Sequence, residues 1–240
     1  MTRELDGRVA AVSGGSGAIG SEIIAALADA GATAISLDVA TAKSSQANWI
    51  ACDVRNDDSV AAAMAAIRER YGRLDIVIHA AGISRDAVIW KMSVEDWDLV
   101  QQVNLRGAFL LLRHAIPLLR ANESGGRVVL IGSINGSRGK FGTSAYSASK
   151  AGLVGLAKTV ARETGRFGVT VNVIEPGWVR TPLTESLPKP VRDAALSETL
   201  TGEFVEPSDV AAAALFLCGN ASRRITGQVL RVDAGQLLGS

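Results

Sequence analysis

The sequence predicts a doubly wound α/β fold, a seven-stranded parallel sheet with helices on both faces, and two observations carry that expectation. Short Val/Ile/Leu-rich runs recur along the chain between longer segments of helical period, which is how a parallel sheet with crossover helices reads. A glycine cluster, Gly14 to Gly20, sits between the first such run and the first helical segment.

Taken in order, strands are expected at Arg8–Ser13, Thr33–Asp38, Asn48–Cys52, Leu74–His79, Arg127–Gly132, Thr170–Ile174 and Gln228–Val232. Helices are expected at Ala18–Ala30, Asp57–Tyr71, Ser93–Arg120, Thr143–Phe167 and Pro207–Cys218. Here Ser93 precedes Glu95 and Asp96 as an N-cap would, and Pro207 suits a first helical position. The short polar connection Val39–Ala47 is expected to be a loop or one turn. Residues 184–206, with Pro188 and Pro190, read as a mobile substrate lid with a short helix at Val191–Leu200. Right-handed crossovers put the ligand crevice beyond the C-terminal strand ends, where the winding reverses. Functional residues are therefore sought just after strands.

Composition bounds the rest. A chain of 240 residues, 48% apolar and without a visible repeat, reads as a single domain over 1–240. Its 25 basic and 24 acidic residues are scattered, which argues against a nucleic acid or membrane partner. The first residues lack the apolar stretch of a signal peptide, and no apolar run is long enough to span a bilayer, so a cytoplasmic protein is expected. Cys52 and Cys218 read as reduced, structural thiols. His79 and His114 read as packed or surface residues, and no metal site is expected.

The glycine cluster is the first functional signal. Glycines at a strand-to-helix turn let the backbone approach a pyrophosphate, and the helix N-terminus adds free N–H groups and a partial positive charge. Gly15, Gly17 and Gly20 match the Rossmann-type fingerprint, with Gly14, Ser16, Ala18 and Ile19 completing the turn. Asp38, at the end of the second strand, is placed to accept hydrogen bonds from the adenosine ribose and to repel a 2′-phosphate. NAD(H) is therefore expected over NADP(H).

The second signal is Tyr146 and Lys150, four residues apart at a helix start and so on one face. An ammonium beside a phenol favours its ionised form and draws it toward acid/base use near neutral pH. Ser133 follows the fifth strand, but its flanks, Gly132-Ser133-Ile134-Asn135-Gly136, are not a nucleophile elbow, which sets aside a serine hydrolase.

On these motifs the chain resembles the short-chain dehydrogenase/reductase family along essentially its whole length. The quoted stretches are Gly14–Gly20, Asp53-Val54, His79-Ala80-Ala81-Gly82, Val103-Asn104-Leu105-Arg106-Gly107, Ser133, Tyr146 with Lys150, and Pro176-Gly177 with Thr181, in that order. The resemblance implies a catalytic tetrad of Asn104, Ser133, Tyr146 and Lys150. Ser133 would bind the substrate oxygen, Tyr146 would exchange a proton with it, Lys150 would hold the nicotinamide ribose, and Asn104 would hold a water leading to Lys150. It also implies that Asp53 and Val54 contact the adenine, that Ala80, Ala81 and Gly82 line the adenosine side, and that Pro176, Gly177, Val179 and Thr181 wrap the carboxamide. Ile134, Asn135 and Trp178 are the substrate-side candidates.

Two departures from the family pattern stand out: the glycine turn opens on serine rather than threonine and has Ala18 for a glycine, and His79 replaces an asparagine. Further likeness to 3-oxoacyl-acyl-carrier-protein reductases and 3-hydroxyacyl-CoA dehydrogenases lies in Arg85-Asp86-Ala87, Lys91–Trp97 and Ile225–Gly235. The resemblance thus implies an enzyme acting on a small secondary alcohol or ketone, cyclic, aromatic or a 3-hydroxyacyl thioester, as a homotetramer. Two alternatives remain: an NADPH-dependent 3-oxoacyl-acyl-carrier-protein reductase of fatty acid synthesis, and a non-catalytic dinucleotide-binding sensor.

Overall fold

The computed structural model describes residues 3–39, 48–186 and 188–238. Among them, seven strands form one sheet in the order β3-β2-β1-β4-β5-β6-β7, with every neighbouring pair parallel. The strands are β1 (Val9–Ser13), β2 (Thr33–Asp38), β3 (Trp49–Ala51), β4 (Ile76–His79), β5 (Arg127–Ile131), β6 (Thr170–Pro176) and β7 (Val229–Val232). The direction of winding reverses between β1 and β4, so the C-terminal ends of those two strands flank the crevice that such sheets offer to ligands.

Alternation along the strands builds two cores. Val9 and Ala11 of β1 face one side, with Leu111 and Leu153, while Ala10 and Val12 face the other, with Ile23, Leu27 and Val210. The first side is covered by α2 (Asp57–Tyr71), α4 (Gly107–Leu119) and α6 (Ser144–Thr164), the second by α1 (Ala18–Asp29) and α9 (Pro207–Cys218). β1, β4 and β5 are buried along their whole length, as strands covered on both faces must be.

The expected long helix Ser93–Arg120 runs unbroken from Val94 to Leu119, with a π turn inside it. Its parts are α3 (Val94–Gln101), the π turn at Gln102–Arg106 and α4, the turn accommodating one extra residue where Asn104 lies. Ser93 caps α3, its hydroxyl accepting from the Asp96 amide at 3.0 Å. The expected helix Thr143–Phe167 starts at Ser144 and ends at Thr164, followed by a 3-10 turn. Within 184–206 the helix runs over Lys189–Ser197 (α8) rather than Val191–Leu200, and a further short helix, α7 (Pro182–Glu185), precedes it. A five-residue helix, α5 (Ile134–Arg138), follows β5. Of the connection expected as a loop at Val39–Ala47, all but Val39 lies outside the described residues. No helix among the described residues is long and apolar enough to cross a membrane.

Candidate active site

The glycine turn is built by backbone contact. Gly14 has a φ of 68°, and a Cβ there would lie 2.6 Å from Ala81 Cα, so this position tolerates only glycine for both reasons. A Cβ on Gly20 would stand 2.1 Å from the Gly14 carbonyl oxygen. Gly17 serves as the N-cap residue of α1, with Ala18 as the first helical residue and Ile19 and Gly20 in the first turn. Asp38, at the tip of β2, accepts from the amide of Ser16 at 3.1 Å and from that of Val39 at 2.8 Å, which ties the acidic side chain to the turn. Ala80 continues β4 alongside the turn, its amide donating to the Ser13 carbonyl at 3.0 Å.

Two of the four tetrad candidates, Lys150 and Asn104, meet beside Gly82. A Cβ on Gly82 would lie 3.2 Å from Lys150 Nζ and 3.6 Å from Asn104 Oδ1, so the missing side chain leaves the space beside the ammonium open. Lys150 is buried and donates to the Ile131 carbonyl at 2.8 Å. Burial lowers its pKa to about 8. Its Nζ is 5.5 Å from the centre of the Tyr146 ring, and the Ser133 hydroxyl acts on the Tyr146 phenol so as to lower its pKa. Burial pushes the phenol above its ordinary pKa, and the Ser133 bond opposes that rise without reversing it. The expected lowering of Tyr146 by the ammonium does not act: loss of water around the ring raises its pKa, and the ammonium is given to the Ile131 carbonyl.

Asn104 is fully buried, with its amide spent locally: Oδ1 accepts from the Ile83 amide at 2.8 Å, and Nδ2 donates to the Ile83 carbonyl at 2.9 Å and to Ser149 Oγ at 3.0 Å. Its backbone carbonyl faces His79 Nε2 at 3.2 Å. A carbonyl only accepts, so that nitrogen carries the proton. His79 Nδ1, 2.8 Å from Ser13 Oγ, then accepts from the serine, because burial holds the ring neutral with a pKa of about 3. The two departures noted in the sequence, at positions 13 and 79, are therefore partners in one buried chain from the glycine turn to the π turn.

The remaining candidates divide. Asp53 is held by Arg55 at 2.7 Å, a pairing that lowers its carboxyl pKa, and Val54 is packed against Gly107. Gly177 lies where a Cβ would come within 2.8 Å of Asp233 Cα, and its amide donates to the Val232 carbonyl. Val179 pairs with Val205 across the base of the 184–206 segment. Thr181 caps α7 in a reciprocal box with Thr184. Pro176 ends β6. Among the substrate-side candidates Ile134 is only 2% exposed and faces the core, whereas Asn135 and Trp178 are partly open. Trp178 stacks on Phe204 at 5.8 Å and takes the Lys140 ammonium over its face at 4.9 Å.

Sequence reasoning missed Arg138, Glu198 and Gln236, which are hydrogen-bonded to one another and, through the Trp178 amide, to the loop after β6. They lie 60 and 38 residues apart, and no local pattern links them. Among the described residues no cluster of His, Cys, Asp and Glu suits a metal ion, and Cys52 and Cys218 are free and buried.

An open parallel sheet with a glycine-built turn at its switch point, and a lysine, tyrosine and serine beside it, defines a dinucleotide-binding oxidoreductase. The chain belongs to the short-chain dehydrogenase/reductase family: the family model described as Enoyl-(Acyl carrier protein) reductase matches residues 14–236. It is 34% identical to the 3-oxoacyl-(acyl-carrier-protein) reductase FabG of Thermotoga maritima, covering 98% of this chain and 99% of that one. It is also 34% identical to the acetoacetyl-CoA reductase of an Acinetobacter strain, covering 95% and 97%. Among solved structures, the aldohexose dehydrogenase of Thermoplasma acidophilum superposes with a TM-score of 0.92 at 28% identity, covering 99% of this chain and 97% of the other.

Proposed function

We propose that this chain is an NAD(H)-dependent oxidoreductase that interconverts a secondary alcohol and a ketone, with Tyr146 moving the proton. The observation that carries this reading is the grouping of the four candidates: Lys150 and Asn104 beside Gly82, the Tyr146 ring 5.5 Å from the Lys150 ammonium, and Ser133 acting on the phenol. The turn, Asp38, Ala80 to Gly82, Lys150 and the Pro176–Thr181 stretch would hold the dinucleotide, and the cradle that a Cβ would fill at Gly82 fits a ring beside the ammonium. Nicotinamide, when bound, supplies or accepts the hydride at the carbinol carbon.

The chain's own side chains manage the oxygen. Ser133 Oγ holds it, and in reduction Tyr146 gives its phenolic proton to it. The raised pKa keeps that proton on the phenol at neutral pH, so reduction has its acid ready. In oxidation the phenolate must take the alcohol proton, a form that the Ser133 bond favours. Lys150 stays largely charged below its pKa of about 8 and orients the ribose side of the site.

Asp38 supports NAD(H), because its carboxylate, fixed by two backbone amides beside the glycine turn, would repel a 2′-phosphate. The names of the relatives favour a second reading, reduction of a 3-oxoacyl thioester, for which NADPH is the alternative nicotinamide. The 184–206 segment closes the substrate side as a lid within a single domain. A cytoplasmic homotetramer completes the proposal, supported by Phe109, 48% exposed on α4.

The deciding experiment is a panel of secondary alcohols, ketones and 3-oxoacyl thioesters assayed with each nicotinamide by absorbance. A preference for NADH of about tenfold or more in kcat/KM is expected, and Asp38→Arg should erode it. Preference for NADPH on thioesters would install the second reading. Dinucleotide binding without turnover of any carbonyl would leave a sensor.

A further inference from the structure

Three polar side chains distant in sequence form one connected line around the cleft. It begins at the candidate substrate-oxygen residue: the Asn135 amide donates to Ser133 Oγ at 3.2 Å, and Asn135 Oδ1 accepts from Arg138 Nε at 3.3 Å. Arg138 Nη1 then donates to Glu198 Oε2 at 2.8 Å, and the same oxygen accepts from Gln236 Nε2 at 2.7 Å. Gln236 Oε1 in turn accepts from the amide of Trp178 at 2.9 Å. The line therefore leaves α5, crosses to the residue that ends α8, passes into the C-terminal tail, and arrives at the loop after β6.

Its members are not casual surface contacts. Gln236 is 1% exposed and uses both ends of its amide, so losing either partner leaves a buried polar atom unmatched. The Arg138 side chain is 14% exposed, which sets it apart from solvated surface pairs such as Lys189 with Asp193. The return of the segment is also fastened through the backbone: Leu200 and Thr201 amides both donate to the Ala234 carbonyl, at 2.9 and 3.4 Å. Between that fixed return and Thr181, α7 and α8 cover a cavity of about 280 Å³ walled by Trp178, Arg192, Leu196 and Phe204.

We propose that Arg138, Glu198 and Gln236 are positioning residues that set the width of the substrate cleft, by tying the helix behind Ser133 to the Trp178 loop through the lid. The proposal rests on the oxidoreductase reading of Ser133 given above. It divides the lid into a fixed return, from Glu198 onward, and an outer part, α7 and α8, free to admit substrate. The line touches neither the glycine turn nor Lys150, and it meets the Pro176–Thr181 stretch only through the Trp178 amide, so dinucleotide binding should change less than the ketone KM.

The test compares Glu198→Ala, Arg138→Ala, their combination and Glu198→Gln. The glutamine keeps an acceptor oxygen for both donors and guards against loss of folding in the alanine variant. Glu198→Ala should raise the ketone KM about tenfold with kcat and dinucleotide Kd each changed less than about threefold, and Glu198→Gln should recover most of the loss. The double variant should be no worse than the poorer single one, because each breaks the same line. Hydrogen exchange should rise over residues 176–181 and 189–206 together. A ketone KM within about twofold of the parent, or losses that multiply in the double variant, would overturn the proposal. Failure of the parent protein to turn over any ketone would sink the oxidoreductase reading instead, and exchange over those two segments would still decide the line on its own: no rise refutes it.

Discussion

The two halves of the cleft are made by different means. On the dinucleotide side, position is set by backbone: Gly14 lies with its Cα against Ala81, Gly20 under the Gly14 carbonyl, and the Ala80 amide on Ser13. On the substrate side, position is set by long side chains, Arg138 with Glu198 and Arg180 with Glu206. Backbone geometry survives most substitutions and admits few at the glycines themselves. Side-chain geometry can be rebuilt by different residues in each chain. A site for a common dinucleotide and a site for a particular substrate place these two demands on one fold.

Tyr146→Phe bears on the point where the halves join, and the largest effect is expected there. Removing the phenolic oxygen takes away the proton path and the partner of Ser133 while leaving the glycine turn untouched. Turnover should fall by about 10²–10⁴-fold, with dinucleotide binding, read by quenching of protein fluorescence, essentially retained. Activity within about tenfold of the parent would place the proton transfer elsewhere.

Next in size is Gly20→Ala, which attacks the backbone-built side. Its Cβ would sit 2.1 Å from the Gly14 oxygen, a backbone atom with no freedom to swing aside, so the turn must shift. We expect dinucleotide affinity to fall by about tenfold or more, with the ketone KM at saturating dinucleotide little altered. Equal loss on both sides would mean that the halves are mechanically coupled rather than built apart.

This division explains what could be read from sequence. The sheet was legible because β1, β4 and β5 are buried on both faces and must be apolar throughout. The glycine turn, Tyr146 and Lys150 were legible because their spacing within a strand-to-helix turn or along a helix fixes their relative placement. The π turn at Gln102–Arg106 was not, since an added residue inside a helix leaves the apolar period nearly intact and shows only in where the Asn104 carbonyl points. Nor was the Arg138, Glu198 and Gln236 line, because each residue alone is an ordinary polar position on a helix, a helix end and a tail.

The smallest effect at neutral pH, and the most selective, is expected at His79, on the backbone-built side yet linked by side chain to the π turn. The ring is neutral in the folded protein, with its pKa brought down from 6.5 to about 3 by burial first and by the nearby Lys150 charge second. A base whose folded pKa lies below its unfolded one costs nothing above the higher value. As pH falls from 6.5 toward 3, the unfolded chain takes up a proton that the folded chain refuses, and stability is lost over that window. Asparagine at this position does not titrate. His79→Asn should therefore be less stable than the parent near neutral pH by about 1–3 kcal/mol, from the unmatched Ser13 and Asn104 groups. That gap should narrow steadily in urea unfolding as the pH is lowered from about 7 to about 4. A gap that stays constant over this range would mean that the ring is already charged or is solvated in the fold, against the buried chain from Ser13 to Asn104.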